Sequence, residues 1–288
     1  DLYTPDALYW VMDAVEREQP DFLYSDEDKV TEDGRVYFAV HFKPDYCPDN
    51  LRSGNYICHL MVMRRSLMDA AGGFRSAFDG SQDHDLALRC MEHTTRVTHI
   101  PRVLYHWRSV GSSMSHQNLM RCVDAARRAV EEHINRVGPG GNVTLENNCL
   151  RIHYRIPREK KVSLIVLDSG EEGQLRRCLA ALQATDWPEM ETLILSNRQE
   201  LPGRTIAVGE IGRFAALNLG AGEATGDYLA FVDSSVVVED PGWLRELMML
   251  AQREDILAAI PALFDGRGRI LHAGYALGME RVASCRQQ

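Results

Sequence analysis

The stretch VSLIVL at residues 162–167 decides the fold class of the chain. Such a short, nearly continuous run of Val, Ile and Leu is typical of a strand that is buried on both faces of a sheet. A helical pattern follows at 173–184 and a second apolar strand at 192–195. A further strand, DYLAFVD at 227–233, comes after another helical pattern at 213–224. Strands that alternate with helices predict an α/β fold with a mainly parallel sheet flanked by helices.

The rest of the chain also mixes helices with strands. Apolar periodicity predicts helices at 6–18, 65–71, 83–93, 118–137 and 241–253. Apolar runs predict strands at 22–24, 56–63, 97–105 and 256–260. The first of these strands ends in the acidic cluster SDEDK at 25–29, and Pro101 interrupts the third.

The clearest linker is GPGGN at 138–142, because Gly and Pro end helices. We therefore divide the chain into a first part at 1–137, a linker with two short strand-like runs at 138–161, and a second part at 162–288. Pro5 and Pro241 each open a helix that is followed by a strand, which predicts two incomplete copies of one module. Because the chain begins with Asp1 rather than Met, we expect it to be part of a longer protein.

Composition narrows the class of protein. The chain has 288 residues, of which 45% are hydrophobic and 25% charged, so it is neither a disordered chain nor a collagen-like repeat. Its formal net charge of −9 disfavours nucleic acid as a partner, because phosphate binding needs a basic face. The same acidity suits a site for a divalent cation.

Cysteine usage and hydropathy indicate the compartment. The seven cysteines contain no C-x-x-C pair, so the sequence signals neither a zinc site nor a disulfide framework. Scattered thiols fit a reducing cytoplasm. The sequence shows no signal peptide and no apolar run long enough to span a bilayer. We therefore expect a cytoplasmic protein. Peripheral association with the inner face of the membrane is compatible with this expectation.

Several acidic residues stand at strand ends or helix starts, where ligands of parallel sheets bind. These residues are Asp26, Asp28, Asp83, Asp85 and Asp233. Gathered carboxylates can bind a hard cation or act as a general base. The alternative for each is a helix N-cap or a solvated loop.

Six segments at 1–115 resemble the family 2 glycosyltransferases of the GT-A fold, and most closely bacterial enzymes that build surface polysaccharide such as O-antigen and rhamnan chains. The segments are YSDEDK at 24–29, FKPDY at 42–46, NYICH at 55–59, GGFR at 72–75, GSQDHDL at 80–86 and HIPRVLYHWR at 99–108. They fit the acceptor-side half of that fold. A weaker match to the nucleotide-side half comprises NLGA at 218–221, ATGDY at 224–228, FVD at 231–233, PGWL at 241–244 and HAG at 272–274.

The resemblance implies transfer of a sugar, with inversion, from a nucleotide-sugar donor to a saccharide or lipid-linked saccharide acceptor. Asp83 matches the general base of the family. A divalent cation, Mg²⁺ or Mn²⁺, offsets the charge of the leaving diphosphate in such enzymes. The resemblance implies Asp1, His106 and Asp233 as its ligands in this chain, and for His106 a packed or stacking histidine is the alternative.

Further residues are implied to bind the acceptor or the donor. They are Asp26, Asp28, Asp85, Trp107 and Arg108. A core tryptophan and a surface ion pair are the alternatives for Trp107 and Arg108. Exposed sheet edges of incomplete modules would favour a homo-oligomer.

The second module departs from the family pattern. Asp233 is followed by Ser234 and Ser235, so the final carboxylate of the D-x-D motif is a hydroxyl, which is a weak cation ligand. This leaves a non-catalytic scaffold or carbohydrate-binding module as the alternative function. The two halves together hold most parts of one GT-A domain, and we predict that they pack as one permuted pseudo-domain. A dinucleotide-binding oxidoreductase, suggested by the glycines at 220–226, is disfavoured because they precede a strand.

Overall fold

The computed structural model describes residues 1–110, 118–273, 275–276 and 283–284. The chain forms two compact units, Asp1–Arg155 and Ile156–Gln288. Helices α1 to α8 span Ala7–Glu18, Pro48–Ser53, Arg65–Ala71, Gln82–Met91, Leu119–Val137, Glu172–Gln183, Arg213–Glu223 and Trp243–Ala251. Strands β1 to β15 span Leu2–Tyr3, Phe22–Thr31, Tyr37–His41, Met61–Met63, Val97–Ser109, Gly141–Glu146, Cys149–Tyr154, Val162–Leu167, Met190–Leu195, Arg204–Ile206, Tyr228–Asp233, Leu263–Phe264, Ile270–His272, Tyr275–Ala276 and Ala283–Ser284.

The first unit is built on a five-stranded sheet in the order β1-β5-β2-β3, in which β4 also pairs with β2. Strands β2 and β5 are parallel, and the other pairs are antiparallel. Helix α1 connects β1 to β2 and covers one face of the sheet. Its apolar side buries Ala7, Val11 and Ala14 against Leu23, Ile100 and Leu104.

Strand β2 is longer than the sequence predicted. Its parallel pairing with β5 continues to Thr31, so the acidic cluster lies inside the sheet and does not end the strand. The predicted interruption at Pro101 corresponds to a register shift, since Ser25 pairs with Ile100 but Asp26 pairs with Val103. Three consecutive acidic side chains of β2 are therefore largely buried, with Asp26, Glu27 and Asp28 only 2%, 7% and 7% exposed.

Strand β4 is shorter than predicted, and only Met61–Met63 pairs with β2. The preceding residues leave the sheet because their polar groups have other partners. The Lys43 ammonium donates hydrogen bonds to the carbonyls of Ile57, at 2.6 Å, and of His59. The Asn55 side chain accepts the Cys58 N–H at 3.1 Å. This segment, residues 55–59, lies beside the acidic cluster of β2.

The predicted linker contains regular structure. Strands β6 and β7 form an antiparallel hairpin, and Glu131 of α5 accepts the Val143 N–H at 3.3 Å. Residues 141–154 thus belong to the first unit, and the division between the units falls after Arg155.

The second unit is built on a parallel four-stranded sheet in the order β10-β9-β8-β11. Both faces of β8 are buried. One face packs on α6 and α8 through Val162, Leu164, Val166, Leu175, Leu179 and Met248. The other packs on α7 through Ile165, Leu167 and Ala216. The predicted α/β fold with a parallel sheet is confirmed.

The strand predicted at 256–260 is wrong. These residues have no regular structure, Leu257 and Ile260 are 104% and 63% exposed, and no strand of the described residues pairs with them. Among the described helices, none combines the length and the apolar character needed to cross a membrane. The packing of the halves as one permuted pseudo-domain stays a prediction. Gly274, the last residue of the HAG motif at 272–274, lies outside the described residues.

Candidate active site

A cavity of about 380 Å³ opens in the first unit beside β2. Its walls come from β2, β3, β5 and the 55–59 segment. The lining residues are Glu27, Asp28, Lys29, Ala39, His41, Asn55, Cys58 and Trp107. A concave site with several converging polar side chains is the usual form of a small-molecule binding site.

Asp83, the predicted general base, lies at the border of this cavity. It occupies the first turn of α4, where a carboxylate is favoured by the helix dipole. The Asn55 side-chain amide donates a hydrogen bond to Asp83 Oδ2 at 2.8 Å, and Cys58 Sγ lies 3.8 Å from the same oxygen. Because Asn55 and Cys58 line the cavity, the Asp83 carboxylate is held next to it in a fixed orientation.

Glu27 also lines the cavity, and no role was predicted for it from the sequence. His59 Nδ1 is 3.0 Å from its carboxylate, His41 Nδ1 is 3.5 Å away, and Lys43 Nζ is 3.7 Å away. Burial alone would raise the pKa of Glu27, but the His59 hydrogen bond and the Lys43 charge outweigh it and lower the pKa. Glu27 is therefore ionised at neutral pH.

Asp26 and Asp28 are both held by histidines of β5. Asp26 Oδ1 lies 2.9 Å from His99 Nε2 and accepts the Lys43 N–H at 2.9 Å. Asp28 Oδ1 lies 2.5 Å from His106 Nδ1. Asp28 borders the cavity, whereas Asp26 fixes the backbone of the loop that carries Lys43.

Asp85 has a structural environment, although it lies only two residues from Asp83. Its carboxylate is 1% exposed and is paired with Arg75 and with Arg89, whose Nη2 is 2.6 Å away. Burial would raise the pKa of Asp85, but the hydrogen bonds from Arg75 and Arg89 lower it overall. Arg89 also donates to the Ala71 and Gly73 carbonyls, so Asp85 fixes the turn after α3 and does not line the cavity.

Trp107 and Arg108 have different surroundings. Trp107 lines the cavity, with Lys29 Nζ 5.0 Å from its ring centroid and the His59 ring tilted at 5.4 Å. Arg108 turns to the backbone, where its Nη1 donates to the Glu32 carbonyl at 2.6 Å. The structure thus places Trp107, but not Arg108, where a sugar ring could stack.

The predicted cation ligands do not form one donor set in the first unit. Asp1 accepts the Tyr105 hydroxyl at 2.7 Å and the Arg108 N–H at 2.9 Å. His106 is bound to Asp28, and its ring meets the edge of Tyr37 at 4.6 Å. Asp233 belongs to the second unit.

The second unit has its own cavity, of about 540 Å³, at the carboxyl ends of β8 and β9. Asp168 accepts hydrogen bonds from the Ser196 hydroxyl at 2.6 Å and from Arg198 Nε at 3.0 Å. Arg213, at the N-terminus of α7, lines the cavity and pairs with Asp233 at 2.9 Å. The guanidinium groups of Arg198 and Arg213 therefore line this cavity. Each is already paired with a carboxylate, Arg198 with Asp168 and Arg213 with Asp233.

Asp233 is held by its own motif as well. The Ser235 N–H and hydroxyl donate to Asp233 Oδ1 at 3.0 and 2.7 Å. The buried Ser234 hydroxyl bonds to the Ser169 N–H at 2.8 Å and so joins the ends of β11 and β8. The residues that replace the D-x-D pattern thus stabilise the loop.

The fold is α/β with a polar cavity in each unit, and sequence comparisons show what the chain is similar to. Residues 204–281 match the model of the family described as Glycosyl transferase family 2. Over 98% of its length the chain is 36% identical to "O-antigen biosynthesis protein RfbC" of Myxococcus xanthus. Over the same share it is 34% identical to "Uncharacterized protein y4gI" of Sinorhizobium fredii. The chain spans 24% and 34% of the lengths of these two relatives.

The predicted resemblance to family 2 glycosyltransferases is confirmed by these matches. The glycines that suggested a dinucleotide fingerprint have another explanation. Gly220 and Gly222 lie inside α7 and not in a turn between strand and helix. A Cβ at Gly220 would lie 2.8 Å from Ile165 Cγ2, so this glycine allows the helix to approach the sheet closely.

Proposed function

We propose that this chain contributes to inverting transfer of a sugar from a nucleotide-sugar donor to an acceptor hydroxyl. The observation that carries the proposal is the Asp83 carboxylate, which Asn55 orients at 2.8 Å beside a polar cavity. In the reaction Asp83 takes the proton of the acceptor hydroxyl while that oxygen attacks the anomeric carbon. The bond from the anomeric carbon to the donor phosphate breaks, and the nucleoside diphosphate leaves with the electron pair.

The acceptor side of the proposal uses the cavity of the first unit. Trp107 lines this cavity and supplies an aromatic ring for contact with a saccharide, because aromatic rings bind apolar ring surfaces. The carboxyl oxygens of Glu27 and Asp28 supply hydrogen-bond acceptors for sugar hydroxyls. A general base at the Asp83 position contributes roughly 10²- to 10⁴-fold to the rate of such a step.

The cavity of the second unit supports a nucleoside diphosphate site of its own. Arg198 and Arg213 line it, and Arg213 begins α7, so the helix N-terminus also faces the site. Helix N-termini and guanidinium groups both bind phosphate. The Mg²⁺ or Mn²⁺ that the family commonly uses has no step in this proposal, because Asp1 and His106 are engaged by separate partners and Arg213 occupies Asp233.

The biological setting is also proposed. One relative is named for O-antigen biosynthesis, which supports a role in bacterial surface polysaccharide synthesis. The acceptor is then a saccharide or a lipid-linked saccharide, handled in the cytoplasm at the inner face of the membrane. Association of copies of this chain through exposed sheet edges is part of the same proposal.

The test compares Asp83→Asn with Asp79→Asn in the full-length protein. Asp79 is an exposed carboxylate just before α4 and serves as the matched control. Release of nucleoside diphosphate is measured with a panel of nucleotide sugars and a lipid-linked acceptor. We expect Asp83→Asn to lower kcat by about 100-fold or more and Asp79→Asn to leave it unchanged. Equal activity of the two variants would contradict the assignment of Asp83.

A non-catalytic role for the second unit is the other candidate function. The pairing of Asp233 with Arg213 and Ser235 favours it, because a saturated carboxylate is a poor cation ligand. Calorimetric titration of the chain with nucleoside diphosphates distinguishes a nucleotide-binding second unit from a scaffold, since a scaffold shows no binding at this cavity.

A further inference from the structure

Among the described residues, three side chains of the first unit have the chemistry and spacing to hold a metal ion. They differ from the cation ligands that the sequence predicted. Glu27, Cys58 and His59 place a carboxylate oxygen, a sulfur and an imidazole nitrogen within 4.8 Å of one another. Glu27 and Cys58 line the 380 Å³ cavity, so the group is reachable from solvent. We propose that Glu27, Cys58 and His59 form a binding site for a transition metal ion of the zinc class.

The donor set decides the class of metal. Mg²⁺ and Ca²⁺ take oxygen ligands almost exclusively, whereas Zn²⁺ binds thiolate, imidazole and carboxylate together. Metal–ligand distances of about 2.0–2.3 Å around a tetrahedral ion separate ligand atoms by about 3.3–3.7 Å. The 3.0 Å distance between Glu27 Oε2 and His59 Nδ1 is close to this range.

The backbone of the site is held before any ion binds. Lys43 Nζ donates to the Ile57 and His59 carbonyls on either side of Cys58. The Asn55 side chain accepts the Cys58 N–H at 3.1 Å. The His59 ring stacks on Tyr105 with a centroid distance of 4.7 Å. Fixed ligands lose little conformational entropy on binding, which favours the metal.

The electrostatic balance also favours a cation. Glu27 and Asp28 line the cavity and Asp83 is bonded to Asn55 of its wall, against the ammonium groups of Lys29 and Lys43. Binding requires two local changes. The Cys58 thiol releases its proton to solvent, and the Glu27–His59 hydrogen bond opens so that Glu27 Oε2 and His59 Nδ1 both turn to the ion.

The proposed metal site does not depend on the transferase reaction. Its place in the cavity would nevertheless affect that reaction. Cys58 Sγ is 3.8 Å from Asp83 Oδ2, so the bound ion would lie next to the proposed base. Zn²⁺ at this site would therefore compete with acceptor binding.

The test uses Co²⁺ and Zn²⁺ as probes of the full chain, with absorption spectroscopy as the readout. A cobalt ion bound to Cys58 gives a near-ultraviolet thiolate-to-metal charge-transfer band and intense tetrahedral visible bands, and Zn²⁺ abolishes both. Cys58→Ser should remove the charge-transfer band and weaken binding by about tenfold or more. The matched control is Cys149→Ser, an exposed thiol in the β6–β7 hairpin, which should keep the band.

A second measurement guards against a folding defect in the variant. Zn²⁺ should raise the melting temperature of the wild-type chain, since an ion bound only by the folded state stabilises it. The rise in melting temperature should be smaller in the Glu27→Gln variant. The circular dichroism spectrum of that variant should match the wild type, which shows that it is folded. No charge-transfer band in the wild-type chain, or a band that survives Cys58→Ser and is lost in Cys149→Ser, would overturn the proposal.

Discussion

Asp85→Asn tests whether this carboxylate holds the fold together, as its contacts indicate. The substitution keeps the shape of the side chain but removes the charge that faces Arg89, whose side chain is only 8% exposed. Breaking a buried ion pair costs about 3–5 kcal/mol, because an uncompensated charge stays buried. Arg89 keeps its bonds to the Ala71 and Gly73 carbonyls, and Arg75 keeps Glu132 at 2.9 Å. We therefore expect Asp85→Asn to lower the free energy of unfolding by about 3 kcal/mol, the lower end of that range.

Differential scanning calorimetry of the full chain measures this loss. A change of 1 kcal/mol moves the melting temperature of a domain of this size by about 2–4 °C, so the first unit should melt about 6–12 °C lower. Asp69→Asn is the matched control, because Asp69 forms an exposed pair with Arg65 at 3.4 Å. Such pairs contribute little. Equal melting temperatures for the two variants would refute the reasoning.

The same carboxylate predicts a pH dependence. Its pKa is lowered in the folded state: burial would raise it, but Arg75 and Arg89 outweigh that effect. The stabilisation is therefore complete above the unfolded pKa, about 4, and is lost as the pH falls through the folded pKa. Below pH ~4 the stability of the wild type should fall towards that of Asp85→Asn. A difference that persists at lower pH would contradict this assignment.

Three further predictions follow from individual contacts. Gly220→Ala should destabilise the second unit by about 1–3 kcal/mol, since its Cβ would lie 2.8 Å from Ile165 Cγ2, and Gly222→Ala, with no atom within 4 Å, is the calorimetric control. Asn55→Ala should lower kcat by about tenfold with KM little changed, because it frees the Asp83 carboxylate, and a change confined to KM would contradict this role. Arg213→Gln should weaken nucleoside diphosphate binding in a calorimetric titration, whereas unchanged affinity would place the phosphates elsewhere.

Local patterns in the sequence predicted several elements well. The helix at 65–71 coincides with α3, which is capped at its C-terminus by Gly72, and the buried strand at 162–167 coincides with β8, because apolar spacing determines both. Three of the motifs that carried the family resemblance, at 24–29, 55–59 and 99–108, contribute residues to the wall of the cavity in the first unit. Asp83, selected from the motif at 80–86, lies at the border of that cavity.

Other features depend on contacts between distant segments. Asp83 and Asp85 share one motif, but only the position of Arg89 and Arg75 shows that Asp85 is a buried structural group. Glu27 and His59 are 32 residues apart, and Lys43 brings the 55–59 segment to β2. The strand predicted at 256–260 failed for the opposite reason, since its apolar residues find no partner strand in the described part of the second unit.

The stereochemistry of transfer tests the central claim most directly. Proton nuclear magnetic resonance of the product, made by the full-length protein from a nucleotide sugar of known anomeric configuration, reports the new linkage through its anomeric coupling constant. Direct attack by an acceptor hydroxyl that Asp83 deprotonates predicts the opposite configuration from the donor, and loss of product in Asp83→Asn. A product that retains the donor configuration would contradict the account.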